Sequence, residues 1–278
     1  MKHALRPLLV FALVWCVSRS AVYLLPGDPA EYLVHEALVE VSPAGLREKM
    51  DLDRGPLERI LSIPGGRSLV RDEPAGALLA RAAVRSAILT LLTLAISIPL
   101  TFAGLFINFS SGPFRRLPSF AAFVLASVPV LALGPLLLRI LPLANPLMPA
   151  LVLALHLTAF WHRTLSKQLA RALPLSSVPG ARALGFAEWR VFHRNLLAPS
   201  LGGFLAFFGT QLGILLNGSL LVETLFQWHG LGSLLADSVL SRDYPIIELS
   251  ILLIALLTLV AQQLGYALQR RWDPRICR

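Results

Sequence analysis

Six histidines, two cysteines and sixteen carboxylates are the side chains of this 278-residue chain best suited to chemistry. Their spacing matches none of the common catalytic patterns. A zinc protease helix needs H-E-x-x-H, a hydrolase elbow needs G-x-S-x-G, and a nucleotide cradle needs G-x-x-x-x-G-K-S/T; none occurs, nor does a pair of intramembrane aspartates. Cys16 lies in an apolar run and Cys277 in a basic tail, so neither a disulfide nor a metal site is expected of them. With no Cys/His cluster, no bound metal is expected either. The chain reads as a non-enzyme that binds no cofactor or ATP of its own.

The composition says what must position the remaining polar residues. The chain is 55% hydrophobic and 15% charged, where soluble domains carry about 25% charged residues. Its natural solvent is lipid. A net charge of +9 would also suit nucleic acid, but the basic residues cluster between apolar stretches, as membrane topology requires. The expected fold is all-α and polytopic, with about six spans of roughly 20 residues, over 7–25, 83–108, 120–141, 147–162, 201–222 and 245–268. Lys2 and Arg6 precede the first, as in a signal peptide. No small-x-small cleavage site follows, so an uncleaved helix over 1–26 is expected. Residues 27–82 form a polar extracytoplasmic segment with short helices expected at 43–49 and 56–61. Residues 83–269 form the membrane core and 270–278 a tail.

Charge bias orients the spans. Arg115 and Arg116, then Arg163, Lys167, Arg171, Arg182, Arg190 and Arg194, then Arg270, Arg271, Arg275 and Arg278 mark cytoplasmic segments. The connection with Glu223, Asp237 and Asp243 faces outward. Both termini are thus expected in the cytoplasm. The clear ionisable groups within the spans are read as Arg19, Arg139 and His156; the two arginines sit near helix ends and can snorkel, which leaves little for proton coupling.

The long cytoplasmic loop, 171–200, invites the closest reading. Ala181, Arg182, Ala183 and Leu184 favour a short helix that Gly185 breaks, with Phe186 next. A second helix over 187–197, containing Glu188, is expected to end at Pro199. Such a knob suits docking to a soluble partner, and its basic residues equally suit anionic lipid. In the fifth span, Gly209 and Gly213 permit close helix approach, most simply within this chain. Gln211 and Asn217 are candidates to line a pathway.

Ala181-Arg182-Ala183-Leu184-Gly185, with Asn195 and Pro199, resembles the "EAA" loop of permeases in the dipeptide, oligopeptide and nickel ABC importer family. Four further segments resemble that family's signatures in order. They are the Leu-Pro-Gly-Asp-Pro-Ala run at 25–30, Glu223 and Phe226 with Gly230-Leu231-Gly232, Arg242-Asp243-Tyr244-Pro245, and the Asp-Pro-Arg-Ile run at 273–276. The sequence departs from the family at His229, where proline is usual, and at Gln262 and Gln263, where Asn and Asp are usual. The resemblance implies a type I importer permease in the bacterial inner membrane, moving peptides or nickel chelates. It implies as partners a second homologous permease, two cytoplasmic ATP-binding subunits that use ATP and Mg, and an extracytoplasmic solute-binding protein. It also implies that 171–200 couples to the ATPases and that 223–245 forms an external loop or gate. A self-contained secondary transporter is the alternative.

Overall fold

The computed structural model describes residues 2–24, 34, 45, 47, 55–61, 66–110, 112–141, 146–173 and 177–272. Apolar runs in lipid must satisfy their peptide groups internally, which favours helix. Among the described residues there is no strand, only an isolated bridge between Arg67 and Pro74. The helices are α1 (Lys2–Leu24), α2 (Pro56–Leu61), α3 (Ala75–Phe109), α4 (Leu117–Ser127), α5 (Val130–Ile140), α6 (Leu147–Ala172), α7 (Val178–Ala183), α8 (Glu188–Arg190), α9 (Ala198–Leu225), α10 (Leu231–Leu240) and α11 (Tyr244–Trp272). A π-helical turn, Val191–Leu197, joins α8 to α9. The turn expected at 25–30 and the tail motif at 273–276 lie outside the described residues. Of the helix expected at 43–49, only Gly45 and Arg47 are described, both helical. The helix expected at 56–61 is α2, and the Trp15 Nε1–H of α1 donates to the Ile60 carbonyl at 2.7 Å.

Among the described residues two helices, α3 and α11, are long and apolar enough to cross a membrane, and counting two bent pairs as one span each gives up to four; the expected six are not all seen as single spans there. Several of the expected stretches take a different local form. α1 runs for 23 residues, Lys2–Leu24, with Pro7 inside it. α6 extends the expected 147–162 stretch to Ala172, carrying Arg163, Lys167 and Arg171. The stretch 120–141 breaks into α4 and α5, which meet at 114°. Pro129 offers no N–H, and it holds Val128 before it in extended backbone, φ −88° and ψ 126°.

Pro199 misled the sequence reading in the opposite sense. The helix does not end there; the π turn runs directly into α9 with Pro199 in its first turn. A missing N–H costs little at that position, because the wider π turn already breaks the i→i−4 ladder.

The chain divides into two compact units, Met1–Ala87 with Ser219–Leu259, and Ile88–Gly218 with Val260–Arg278. In the first, Ala75, Leu78, Leu79 and Ala82 fall at helical spacing on one face of α3 and pack with Leu231 and Leu234 of α10 and Ile246 and Ile254 of α11. In the second, α4 and α5 both pack on α6, and the fully buried Trp161 of α6 meets the rings of Phe204 and Phe208 at 5.7 and 5.2 Å. There too, a Cβ on Gly209 would lie 2.7 Å from both the Ala261 oxygen and Gly265 Cα. Glycine is required at that backbone contact, and Gly209 serves packing within this chain.

Candidate functional site

In the second unit, the segment centred on Gly185 is built by a helix terminus. α7 ends in a Schellman turn: the Gly185 N–H donates to the Arg182 carbonyl at 2.9 Å and the Phe186 N–H to the Ala181 carbonyl at 3.2 Å. Gly185 supplies the left-handed residue that this turn needs, at φ +75°. Ala181 is buried beneath the turn, while Leu184 is 77%, Phe186 44% and Trp189 59% exposed. Arg182 braces this apolar knob. Its guanidinium donates to Glu188 at 3.0 Å and lies 4.7 Å over the Phe109 ring at the end of α3. The Trp189 and Phe192 rings stand 5.3 and 5.5 Å from Phe106, and Asn195 donates to the Ser177 hydroxyl. The sequence elements Ala181–Phe186, Glu188 and Asn195 therefore come together. Pro199 stands apart from them, inside α9.

In the first unit, the segment 223–245 is ordered by one buried carboxylate. Glu223, wholly buried near the end of α9, accepts from the Ser86 hydroxyl at 2.7 Å and the Ser219 hydroxyl at 3.2 Å. It also accepts the N–H groups of Gly232 at 2.8 Å and Ser233 at 3.2 Å, while Ser86 Oγ accepts that of Leu231 at 2.8 Å. These are the unpaired donors of the first turn of α10, so Glu223 and Ser86 cap it from outside. A Cβ on Gly230 would collide with the Ser86 hydroxyl and the Glu223 carboxylate, and one on Gly232 with Leu220 Cα. Two glycines beside an acid thus form one clamp.

α9 and α10 end in Schellman turns as well, but with Gln227 and Arg242, not glycine, at φ +52°. The Trp228 N–H reaches the Glu223 carbonyl and the Asp243 N–H the Ser238 carbonyl, at 2.8 and 2.9 Å. A left-handed non-glycine residue costs about 1–2 kcal/mol, so both turns are held by their surroundings. Asp243 supplies part of that hold, accepting from the Ser68 hydroxyl and from the Leu69 N–H at 3.1 Å. Burial pushes its carboxyl above the usual carboxylate range, against the opposing pull of Ser68, the Leu69 and Val70 N–H groups and Arg71. Tyr244 and Phe226 are buried, and Pro245 takes the second position of α11, where proline is tolerated.

Of the two pathway candidates, Gln211 is buried; the side chain of Asn217 lies outside the described residues. The sequence reading missed Ser86 and Ser68, since serines in apolar helices and turns carry no distinguishing pattern. It also missed Glu248. That residue belongs among the ionisable groups of the apolar stretches and pairs with Arg19, both buried. Arg19 does not snorkel; it crosses from α1 to α11. An acid in one apolar run and a base in another was the available signal.

The family described as "Binding-protein-dependent transport system inner membrane component" matches residues 100–278. A glutathione transport system permease protein of Salmonella choleraesuis is 30% identical over 261 residues, 84% of each chain. A nickel import system permease protein of Staphylococcus aureus is 26% identical over 304 residues, covering 99% of this chain and 92% of its own. Among solved structures, an amino acid ABC transporter with histidines has TM-score 0.59 at 18% identity, over 70% of this chain and 94% of that one. The inward-facing MetNI methionine ABC transporter has TM-score 0.60 at 18% identity, over 71% and 97%. These two structures share the fold. A membrane chain with no nucleotide cradle, a braced apolar knob and a family match over its last 179 residues belongs to the binding-protein-dependent transport system inner membrane components, the permease components of ABC importers.

Proposed function

We propose that this chain is one pore-forming half of an importer that moves peptides, or nickel chelates, across the bacterial inner membrane. A second homologous permease completes the pore, two cytoplasmic subunits hydrolyse ATP with Mg, and an extracytoplasmic protein delivers the solute. Both termini face the cytoplasm, 27–82 lies outside and 83–269 forms the permease core. The observation that carries this reading is the knob of Leu184, Phe186 and Trp189, three large apolar side chains exposed on a hydrogen-bonded turn. Its occupant is an ATPase groove, because exposed apolar surface held by a fixed turn is suited to a protein partner. Arg182 and Phe192 lean on Phe106 and Phe109 of α3, the helix that also carries Ser86. ATP-driven closure of the two ATP-binding subunits would move the Ala181–Pro199 loop and swing the helices between outward-open and inward-open states. Gln211 and Asn217 line the pathway. The peptide reading is favoured by the glutathione permease relative, whose named solute is a tripeptide. Among the described residues a buried ion pair within the apolar stretches joins Arg19 to Glu248, a neutralised carboxylate poorly suited to the proton coupling of a secondary transporter.

The test is uncoupling. Gly185→Asp, and Arg182→Glu combined with Glu188→Arg, should leave membrane insertion intact while ATP hydrolysis by the assembled importer no longer follows transport. Transport at wild-type rate in both variants removes the coupling role.

A further inference from the structure

The first unit contains a cleft of about 270 Å³ between the start of α3 and α10. That is near the small end of ligand sites, which run from roughly 300 to 1,000 Å³. Leu78 and Leu234 contribute its apolar lining; its charged groups are Arg71, Glu73, Arg81, Arg85 and Asp237, with His229 beside them. Two of the three arginines are matched. Arg81 pairs with Glu73, and Arg71 stands 3.7 Å from Asp237. Arg85 has no ion pair among the described residues. Its backbone is held, because the Trp228 Nε1–H donates to the Arg85 carbonyl at 3.1 Å, which brings the neighbouring His229 to the same cleft. The first-turn N–H groups of α10 are taken by Glu223 and Ser86, so the cleft's open electrostatic demand comes from Arg85. A guanidinium presents a planar fork of donors that matches a carboxylate in two parallel bonds, and an imidazole adds a further donor or acceptor at the rim.

We propose that this cleft is a recognition site for a carboxylate of the transported solute, with Arg85 as the anchoring cation and His229 as a positioning donor. The proposal deepens the importer reading, and it restricts the cargo to a small solute, or one end of a larger one, that bears a carboxylate.

The test titrates the purified full chain, in lipid nanodiscs, with succinate and with its uncharged isostere succinamide, following tryptophan fluorescence beside Arg85. Succinate should give a saturable response that succinamide lacks. Arg85→Gln should weaken it at least tenfold, and His229→Pro severalfold. An equal response to succinamide, or an Arg85→Gln titration superimposable on wild type, overturns the site. Inorganic phosphate binding as tightly as succinate overturns the carboxylate assignment. If Arg85→Gln weakens docking of the solute-binding protein while succinate has no effect, the cleft serves an acidic face of that protein and the solute assignment falls. The readout needs no ATPase subunit, so lost succinate binding in a chain that still co-purifies with its ATPases refutes the cleft alone. Succinate binding by a chain that recruits none refutes the importer reading alone.

Discussion

Glu223 does more for the structure than its place in a sequence pattern suggests, since one wholly buried carboxylate satisfies two hydroxyls and two peptide N–H groups. Glu223→Gln keeps the shape but replaces one acceptor oxygen by an amide nitrogen that must turn a donor toward donors. It should cost about 2–3 kcal/mol, read as a lowered unfolding midpoint of the detergent-solubilised chain; an unchanged midpoint would remove Glu223 as the organiser of 223–245. The sequence showed that Gly230 and Gly232 stand near an acid. Their need for glycine comes from contacts with Ser86, Glu223 and Leu220, and only folding brings Ser86 there. Gly185 was legible because a glycine after a short helix is a local signal. Gln227 and Arg242 were not, since neither type announces a left-handed turn. The buried pair behaves differently from the clamp. Removing one partner, as in Glu248→Gln, takes away the carboxylate facing the buried Arg19 guanidinium and should cost about 3–5 kcal/mol, whereas Arg19→Met with Glu248→Leu should recover much of that loss. Unfolding of the three variants side by side decides it, and a double variant no better than the single would show that the pair itself stabilises.

At the scale of helices, hydropathy located the apolar runs and proline determined what became of them, with opposite outcomes. Pro129 follows an extended Val128 and divides 120–141 into two helices at 114°. Pro199 sits where a π turn has already opened the ladder, and the helix continues. The sequence presents the same residue type in both places; the backbone before it makes the difference. Glycine shows the same dependence on setting. A Cβ at Gly185 meets nothing within 4 Å, while one at Gly209 meets the backbone of Ala261 and Gly265. Gly209→Ala should therefore force α9 and α11 apart and cost about 1–3 kcal/mol, and the folded yield from membranes should drop. A Gly209→Ala chain as stable as wild type would mean that this helix contact is not closely packed.

For the whole molecule, the family and the all-helical architecture were readable because five short motifs in order span nearly the full chain. The number of crossings was less readable, because hydropathy cannot distinguish a straight span from a bent pair of helices. That the last helix answers the first through Glu248 and Arg19 had a signal in the two opposite charges of separate apolar runs, but their pairing came only with the fold. The family membership makes the chain one component of an ABC importer, and the proposed reading gives the exposed knob to its ATP-binding partners. The most direct measurement is purification of the tagged chain from cells expressing its genomic neighbours, with the recovered subunits identified and counted by mass spectrometry. The account predicts one further permease and two ATP-binding subunits per chain, with the ATPases lost from a Leu184→Asp, Trp189→Asp variant that still inserts and folds. A folded chain recovered alone, or ATPases retained by that variant, would contradict it.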